Sequence, residues 1–279
     1  MKDESAALRP AQHPREKNGG DARPLGDARL LVVLPALNEE TAIGSVLDEV
    51  PASELAQLGY PTAVWVVDGH SSDRTHEIAR EKGAAIFTQH GTGKGNAMRQ
   101  AFAHLLGPDA SGADRTGARY VVMLDSDGSY SPRFLMDFVA ALESGHDIVL
   151  GSRFRGRIEQ GALTDLNRLG NRLLNRLARL LYGVPVSDVC TGMWGFSVDS
   201  LRRLGLAAEG FDLEADIFAS ACLGGARVAE IPIAYRPRMG EAKLVPLRAG
   251  LLIAWRLVVN RLNRSTGKEG PSRWRNGAA

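Results

Sequence analysis

The sequence predicts an α/β protein built on one mostly parallel, doubly wound sheet. Three observations lead to this prediction. Apolar runs typical of strands buried on both faces recur between residues 30 and 150. Helical patterns separate these runs, and strands that alternate with helices at this spacing form parallel sheets. Polar residues follow several of the runs, where ligands of such sheets bind.

The elements of the first half can be assigned in order. Residues 1–28 are rich in Lys, Asp, Pro, Gly and Ala without periodicity, and they predict a disordered arm. Strands are predicted at residues 30–34, 63–67, 84–88, 120–124 and 147–150. Helices are predicted within residues 43–50, from Arg74 onward, after the loop at residues 91–96, and at residues 132–142.

The alternation of strands and helices loosens after residue 151. A short strand with a loop is predicted within residues 184–196, and a further strand at residues 229–235. Pro232 indicates an edge strand or a bulge there, because proline has no N–H to donate to a neighbouring strand. Helices are predicted at residues 166–182, 213–223 and 247–262.

Bulk composition excludes several classes of protein. The 279 residues are 44% hydrophobic and 24% charged, which is ordinary for a globular domain, and the formal charge of +2 gives no reason to expect a nucleic-acid partner. Cys190 and Cys222 fit no metal-binding spacing, and a reducing compartment is expected. The charged first residues predict no secretory leader. The most apolar run, residues 249–259, is well under the ~20 residues of a transmembrane helix.

Two carboxylates one residue apart, Asp125 and Asp127, follow the predicted strand at residues 120–124. Mg²⁺ typically binds one or two carboxylates and completes its shell with substrate phosphates. Surface turns also contain such pairs, so the pair alone leaves a metal site and an ordinary turn both open. Glu39 and Asp68 follow other predicted strands, and polar residues that converge on one sheet edge favour a ligand site.

Two common nucleotide motifs are not matched. The first strand runs into Pro35 and Asn38 rather than into the glycine-rich turn of a dinucleotide fold. The loop around Lys94 superficially resembles a P-loop, but Thr88 stands where the first glycine belongs, and Gly95 where Ser or Thr should follow the lysine. An ATPase is therefore not expected, although this glycine turn could still approach a phosphate.

Other motifs follow one another in order along the chain. They are Pro35-Ala36-Leu37-Asn38-Glu39, then Val66-Val67-Asp68 with Ser71-Ser72-Asp73-Arg74-Thr75, then Gly93-Lys94-Gly95, Asp125-Ser126-Asp127 and Gly151-Ser152-Arg153-Phe154. Together they resemble the family 2 glycosyltransferases of the GT-A fold, over about residues 30–245. The segments at residues 188–196 and 235–238 resemble the dolichyl- and polyprenyl-phosphate hexosyltransferases of that family.

The resemblance implies a domain layout and a set of ligands. It implies a single GT-A domain with a Rossmann-like sheet at residues 29–245, then an amphipathic helix at residues 246–264 that faces the acceptor or a membrane, and a flexible tail at residues 265–279. The implied donor is a nucleotide sugar, and the implied cofactor is Mg²⁺ or Mn²⁺. The implied reaction inverts the anomeric carbon.

The resemblance also implies roles for individual residues. The nucleotide sugar would contact Pro35, Ala36, Asn38, Glu39, Asp68, Lys94, Asp125 and Ser126. The metal would be held by Asp125 and Asp127, with Asp125 alternatively at the ribose or at a metal-bound water. The catalytic residues would be Asp127, Arg153 and Asp188. The acceptor and the phosphates would be bound by Thr191, Gly192, Arg236 and Lys243.

Structural alternatives stay open for several of these residues. Glu39 would also suit the first turn of a helix, and Asp68 could simply cap the next turn. Lys94 could be a solvated loop residue, and Arg153 could form a surface ion pair. The sequence also departs from the family pattern. Gly69-His70 follows Asp68 where Asp-Gly or Asn-Gly is usual, which leaves the base unassigned. Ser129 replaces a frequent glutamine, which weakens the case for a third metal ligand.

The acceptor decides whether a general base is needed. A sugar hydroxyl must lose a proton to attack. A phosphate monoester, with a second pKa of about 6, is already largely ionised at neutral pH. Asp188, Glu214 and Asp216 are the carboxylates considered as a base or as a group that positions the acceptor. Asp188 is placed first because it precedes Thr191-Gly192.

The resemblance implies a metal-dependent inverting enzyme that transfers a hexose from a UDP- or GDP-linked sugar to polyprenyl or dolichyl phosphate. A glycosyltransferase with a soluble acceptor and a non-catalytic nucleotide-sugar-binding module are the alternatives. The Arg- and Leu-rich helix at residues 166–182 and the last helix around Trp255 suit either an anionic lipid surface or ordinary packing. The resemblance favours a cytoplasmic protein attached peripherally at the cytoplasmic face of a membrane.

Overall fold

The computed structural model describes residues 28–107, 117–240 and 246–263. Its strands are β1 (Leu30–Ala36), β2 (Thr62–Asp68), β3 (Ala85–Thr88), β4 (Tyr120–Met123), β5 (Ile148–Ile158), β6 (Trp194–Ser197) and β7 (Val228–Tyr235). Its helices are α1 (Ile43–Asp48), α2 (Ala52–Gln57), α3 (Thr75–Glu81), α4 (Lys94–Leu106), α5 (Leu135–Glu143), α6 (Asp165–Tyr182), α7 (Val198–Arg203), α8 (Leu213–Leu223) and α9 (Pro246–Asn263). A 3₁₀ turn, Pro132–Phe134, precedes α5.

The described strands form one seven-stranded sheet in the order β3-β2-β1-β4-β6-β5-β7. Strands β1, β2, β3 and β4 pair in parallel, as do β5 and β7, whereas β6 runs antiparallel to both of its neighbours. The predicted mostly parallel sheet is therefore confirmed. The reversed direction of β6 was not predicted.

Both faces of the sheet are covered, which explains why the central strands are apolar throughout. On one face, Leu31 and Val33 of β1 pack in a cluster that includes Met98 of α4 and Phe218 of α8. On the other face, Leu30, Val32 and Leu34 pack in a cluster with residues of α1 and α5. A strand buried on both sides cannot alternate apolar and polar residues, so it reads as a continuous apolar run.

Strand β5 is longer than predicted, and its pairing with β7 is irregular. Strand β5 continues past Leu150 to Ile158, and its register against β7 shifts between Ser152 and Arg157. Pro232 lies in β7, which is an edge strand, next to this irregularity. The expectation of an edge strand or a bulge at Pro232 is confirmed.

Both predicted chain ends lie almost entirely outside the described residues. Apart from Ala28, the predicted arm at residues 1–28 lies outside the described residues, as does the predicted tail at residues 265–279. Among the described helices, none combines the length and the apolar composition that crossing a bilayer requires.

Candidate active site

Eight of the predicted site residues line one large cavity at the carboxyl ends of β1, β2 and β4. The cavity has a volume of about 760 Å³. Its polar lining comes from several separate segments of the chain, because parallel strands deliver their ends to the same edge. The predicted residues that line it are Pro35, Ala36, Glu39, Lys94, Asp125, Ser126, Asp127 and Arg153.

Lys94 joins two carboxylates on the cavity wall. Its Nζ lies 2.5 Å from Oδ1 of Asp125 and 2.5 Å from Oε1 of Glu214. Burial alone would lower the pKa of Lys94, but Asp125 and Glu214 together raise this pKa above its ordinary value. Burial raises the pKa of Glu214, and Lys94 partly offsets that rise. At neutral pH the lysine is therefore a fixed positive charge beside the carboxylates.

Close packing explains the glycines on either side of Lys94. Gly93 has a φ of 101°, and a Cβ built on it would lie 2.2 Å from the carbonyl oxygen of Glu209. A Cβ on Gly95 would lie 2.6 Å from the carbonyl oxygen of Ala208. The glycine turn thus lets α4 begin directly against residues 208–210, and this contact brings Lys94 to Glu214.

Asp127 is held by its own turn and by the segment after β7. Its Oδ1 accepts hydrogen bonds from the backbone N (2.9 Å) and the Oγ (2.5 Å) of Ser129. Its Oδ2 lies 2.9 Å from Nη2 of Arg238. The backbone N of Met239 also donates to the carbonyl oxygen of Asp127, at 2.9 Å. Ser129, the residue that departs from the family pattern, therefore positions the second carboxylate of the pair.

Gly192 makes room for Asp125. A Cβ built on Gly192 would lie 2.2 Å from Oδ2 of Asp125, which is closer than any side chain allows. The backbone N of Gly192 donates to Oη of Tyr130 at 2.7 Å. Thr191 is fully buried, and its Oγ1 donates to the carbonyl oxygen of Gly151 at 2.5 Å. Neither Thr191 nor Gly192 lines the cavity, although both were predicted to contact the acceptor.

Arg153 and Asp188 form a buried bidentate ion pair. Nε and Nη2 of Arg153 donate to Oδ2 and Oδ1 of Asp188, both at 2.7 Å, and the backbone N of Arg153 donates to Oδ2 at 2.9 Å. Burial alone would lower the pKa of Arg153, but Asp188 holds this pKa well above its ordinary value. Arg153 lines the cavity, whereas Asp188 is completely buried outside the cavity lining. Asp188 thus acts on the cavity through the arginine.

Asp68 organises the loop after β2 rather than facing the cavity. Its carboxylate is fully buried and accepts hydrogen bonds from the backbone N of His70 (2.8 Å) and of Ser71 (3.1 Å). Nε2 of His76 lies 2.9 Å from its Oδ2. Burial alone would raise the pKa of Asp68, but the bonds from Ser71 and His76 lower it overall. The neighbouring residues Val67 and Gly69 line the cavity instead.

The loops after β1 and β2 are tied together at Asn38. This residue has a φ of 50°; its backbone N donates to Oγ of Ser71 at 2.9 Å, and its Oδ1 accepts from the backbone N of Ser72 at 2.8 Å. The backbone N of Glu39 donates to Oγ1 of Thr75 at 2.8 Å. These bonds hold Pro35, Ala36 and Glu39 along the cavity, while Asn38 itself does not line it.

The remaining predicted residues lie elsewhere, and sequence reasoning missed some that line the cavity. Nη1 of Arg236 is 2.6 Å from Oε1 of Glu49, and Arg236 does not line the cavity. Lys243 lies outside the described residues. Arg238 lines the cavity, although only Arg236 was assigned a role from this segment. Glu214, considered as a base or as a group that positions the acceptor, also lines it, and a carboxylate within the apolar helix α8 is the signal that could have singled it out.

The two carboxylates fit a divalent ion that is shared with a phosphate ligand. In the described part of the chain, no group of three or more His, Cys, Asp or Glu side chains could hold a metal. Asp125 and Asp127 each contact a cation, Lys94 and Arg238 respectively, so both carboxylates already accommodate positive charge. Mg²⁺ commonly uses one or two carboxylates together with substrate phosphates.

Comparison with known proteins decides the family. Residues 31–205 match the family model "Glycosyl transferase family 2". The chain belongs to this family. It is a glycosyltransferase, so the prediction of an enzyme is confirmed and the alternative of a non-catalytic binding module is not supported. The seven-stranded sheet is that of a single GT-A-type domain, as the resemblance implied.

Relatives and solved structures extend this result. The chain is 37% identical over 231 residues to a "Dolichyl-phosphate hexose transferase" of Haloferax volcanii, covering 82% of this chain and 92% of that protein. It is 28% identical over 226 residues to a "Polyprenol monophosphomannose synthase" of Mycolicibacterium smegmatis, covering 77% and 81%. Glucosyl-3-phosphoglycerate synthase from Mycobacterium tuberculosis shares the fold, with a TM-score of 0.61 at 24% identity over 87% of this chain and 81% of that chain; this structure contains Mg²⁺ and UDP. The resemblance to dolichyl- and polyprenyl-phosphate hexosyltransferases is confirmed.

Proposed function

We propose that the protein transfers a hexose from a UDP- or GDP-linked sugar to polyprenyl or dolichyl phosphate, with a divalent metal and with inversion at the anomeric carbon. One observation carries the proposal. A single cavity combines the carboxylate pair Asp125–Asp127, the buried cation Arg153 and an apolar part lined by leucines of α6 and α9. Such a cavity suits a diphosphate, a second phosphate and a lipid chain. The names of the two relatives described above support the same acceptor.

The donor would lie along the carboxyl ends of β1 and β4. Pro35, Ala36, Glu39 and Ser126 line this part of the cavity and would contact the nucleoside. Oγ of Ser126 donates to the carbonyl oxygen of Pro35 at 2.6 Å, which fixes the two loops relative to each other. Asp68 and Asn38 would act indirectly, by shaping the loop that carries Gly69.

Asp125 and Asp127 would hold Mg²⁺ or Mn²⁺. When bound, the ion supplies Lewis-acid stabilisation of the diphosphate leaving group. Lys94 and Arg238 contact these carboxylates in the structure. Both cations also line the cavity, where they would contact diphosphate oxygens of the donor. The site thereby retains positive charge where negative charge develops.

Arg153 would bind the acceptor phosphate. A phosphate oxygen of the acceptor forms a bond to the anomeric carbon, the bond from that carbon to the donor diphosphate breaks, and the electron pair leaves with the nucleoside diphosphate. Because the acceptor phosphate is already ionised near neutral pH, the attack needs no general base. Asp188 would keep Arg153 charged and oriented.

The surroundings of the three carboxylates considered as a base support a reaction without a general base. Asp188 is fully engaged by Arg153. Asp216 accepts hydrogen bonds from the backbone N of Ala207 and Ala208 and from Nδ2 of Asn260. Of the three, only Glu214 lines the cavity, and it shares Lys94 with Asp125. We assign Glu214 to positioning Lys94.

A panel of donors and acceptors tests the proposal. Purified protein with Mg²⁺ or Mn²⁺ would be given labelled UDP- or GDP-hexoses and either a polyprenyl phosphate or 3-phosphoglycerate. The soluble acceptor represents the alternative, because solved structures of the same fold include one with phosphoglyceric acid bound. We expect label on the prenyl phosphate from one class of donor, in the opposite anomeric configuration. Transfer to 3-phosphoglycerate alone would overturn the proposal. Because a lipid acceptor resides in a membrane, peripheral attachment at the cytoplasmic face belongs to the same proposal.

A further inference from the structure

The side chain of Gln89 is a polar group at the cavity that the proposed reaction does not use. Gln89 directly follows β3, is 4% exposed and lines the cavity. Its Oε1 is buried and has no hydrogen-bond partner within the described residues. A buried amide oxygen without a partner destabilises the empty protein, so its presence calls for an explanation. A ligand that pairs with the amide would supply one.

The backbone around Gln89 holds the amide at the cavity wall. The backbone N of Gln89 donates to the carbonyl oxygen of Asp68 at 3.1 Å, so the residue extends the pairing of β3 with β2. Nε2 of Gln89 lies 3.2 Å from the position of a Cβ built on Gly69. Because Gly69 has no side chain, the amide lies directly beside the backbone that follows β2. Gly69 also lines the cavity.

Apolar side chains of β2 and α4 line the cavity at the same end. Nδ2 of Asn96 donates to the carbonyl oxygen of His90 at 2.6 Å, which holds the first turn of α4 beside the residue that follows Gln89. Val67 of β2 and Ala97 of α4 both line the cavity. Apolar walls with one polar group that can fix an orientation suit a flat ring with apolar faces and a polar edge. A nucleobase is such a ring.

The carboxylates nearest to this end of the cavity are placed elsewhere. Asp68 does not line the cavity, and its two oxygens accept hydrogen bonds from the backbone of His70 and Ser71. Glu39 follows β1, which β2 separates from β3, and its Oε2 lies 3.3 Å from a Cβ built on Gly240, after β7. Among the described residues at the carboxyl ends of β2 and β3, no carboxylate lines the cavity. A base bound there would therefore meet a carboxamide.

We propose that Gln89 binds the base of the donor and that this base is uracil, so that the donor is a UDP-sugar. A carboxamide has an acceptor and a donor, and rotation about its Cγ–Cδ bond presents either one. Uracil matches it with a carbonyl oxygen beside the N3–H. Guanine has a comparable pair but adds an amino group, which needs a further acceptor such as a carboxylate and would stay unpaired here. This inference rests on the proposed function, because it chooses between the two donors named there.

The test replaces the amide by an apolar group of similar size. Gln89→Leu removes the donor and the acceptor of the amide, and Gln57→Leu, at an exposed glutamine that ends α2, is the matched control. Titration calorimetry with Mg²⁺ measures the binding of UDP, GDP and N3-methyl-UDP to each protein. The methylated nucleotide lacks the N3–H. Thermal unfolding without nucleotide is measured on the same proteins.

We expect the wild-type protein and Gln57→Leu to bind UDP at least about tenfold more tightly than GDP or N3-methyl-UDP, because each of the latter leaves a polar group unpaired. Gln89→Leu should bind UDP about tenfold more weakly and should no longer distinguish UDP from its methylated form. Without nucleotide, Gln89→Leu should unfold at the same temperature as the wild type or higher, because an apolar group replaces an unpaired amide.

Three results would overturn the inference. They are tighter binding of GDP than of UDP by the wild type, a Gln89→Leu variant that still distinguishes UDP from N3-methyl-UDP, and a lower unfolding temperature in that variant with unchanged affinities, which would assign Gln89 a structural role. Nucleotide binding needs no acceptor. Failure to transfer sugar to a prenyl phosphate would therefore count against the proposed function alone, whereas transfer from a GDP-hexose only would keep that function and overturn the choice of uracil.

Discussion

Two regions of the molecule meet at the cavity, and they differ in whether their charged side chains form ion pairs. In the carboxylate cluster (Lys94, Asp125, Asp127, Glu214 and Arg238), every charged group has a partner of opposite sign within the chain. On the outer surface of α6, four arginines (Arg168, Arg172, Arg176 and Arg179) lie beside exposed leucines without such partners among the described residues. This difference indicates that a small ligand would replace existing ion pairs in the first region. In the second region, another surface would cover the exposed leucines and pair with the arginines.

The largest effect is expected where the first region would hold the metal. Asp127→Asn removes a negative charge but keeps an oxygen that can accept from Ser129. Transfer should fall by about 10²–10³-fold, because stabilisation of the leaving group is lost. Asp137→Asn, an exposed position on α5, is the matched control and should leave the rate unchanged. Steady-state transfer rates and thermal unfolding are the measurements. Retained turnover in Asp127→Asn would contradict the metal assignment.

A second substitution tests the shape of the same region without changing its charge. Gly192→Ala would place a methyl group against Oδ2 of Asp125 and force that carboxylate to move. We expect about a 10²-fold loss of kcat/KM, since a displacement near 1 Å at a reacting group costs this much. Gly205→Ala, where an added Cβ meets no atom within 4 Å, provides the control. Equal kinetics for the two variants would show that Asp125 tolerates displacement.

Substitutions in the ion pair between Arg153 and Asp188 test whether Asp188 acts on the acceptor through Arg153. Asp188→Asn should raise the KM for the acceptor by about tenfold or more, because Arg153 loses its charged anchor. The acid limb of the pH–rate profile should remain near pH 6, since it reflects ionisation of the acceptor phosphate. Arg153→Lys should show the same retained limb. If the limb disappeared in Asp188→Asn alone, Asp188 would instead be the general base.

The smallest effect is expected at Asp68, and it concerns stability. The hydrogen bonds from Ser71 and His76 lower the pKa of Asp68 in the folded protein below its ordinary value of 3.8. The ionised carboxylate therefore stabilises the fold above about pH 4, and this contribution is lost as the pH falls through the lowered pKa. Asp68→Asn should be less stable at pH 7 by about 1–3 kcal/mol. Its difference from the wild type should shrink toward pH 3, as measured by urea unfolding. A constant difference would contradict this role.

The sequence predicted the parts of the fold that local pattern determines. Strands β1, β2 and β4 read as apolar runs because both of their faces are buried, and the long helix α6 has a strong periodic pattern. Strand β6 and helix α7 are short, and the direction of β6 depends on its pairing with β4 and β5. Such pairing is a tertiary property that a four-residue strand does not encode by itself.

The site was predictable to a similar extent. Asp125, Asp127 and Lys94 line the cavity as expected, because each follows a strand or opens a helix at the ligand-binding edge. Arg153 lines it as well, but from within β5, which is longer than predicted. Arg236 and Arg238 could not be told apart from the sequence. Their side-chain partners tell them apart in the structure, because Arg238 pairs with Asp127 and lines the cavity, whereas Arg236 pairs with Glu49.

One competition experiment tests the central claim most directly. Labelled nucleotide sugar, Mg²⁺ and the wild-type protein are mixed with a long polyprenyl phosphate in anionic vesicles and an equal concentration of 3-phosphoglycerate. The reaction is then extracted with organic solvent, and the label in each phase is counted. The account predicts that the label enters the organic phase and that EDTA abolishes this transfer. Label that stays in water as a sugar–phosphoglycerate product, or organic-phase label that EDTA leaves unchanged, would contradict it.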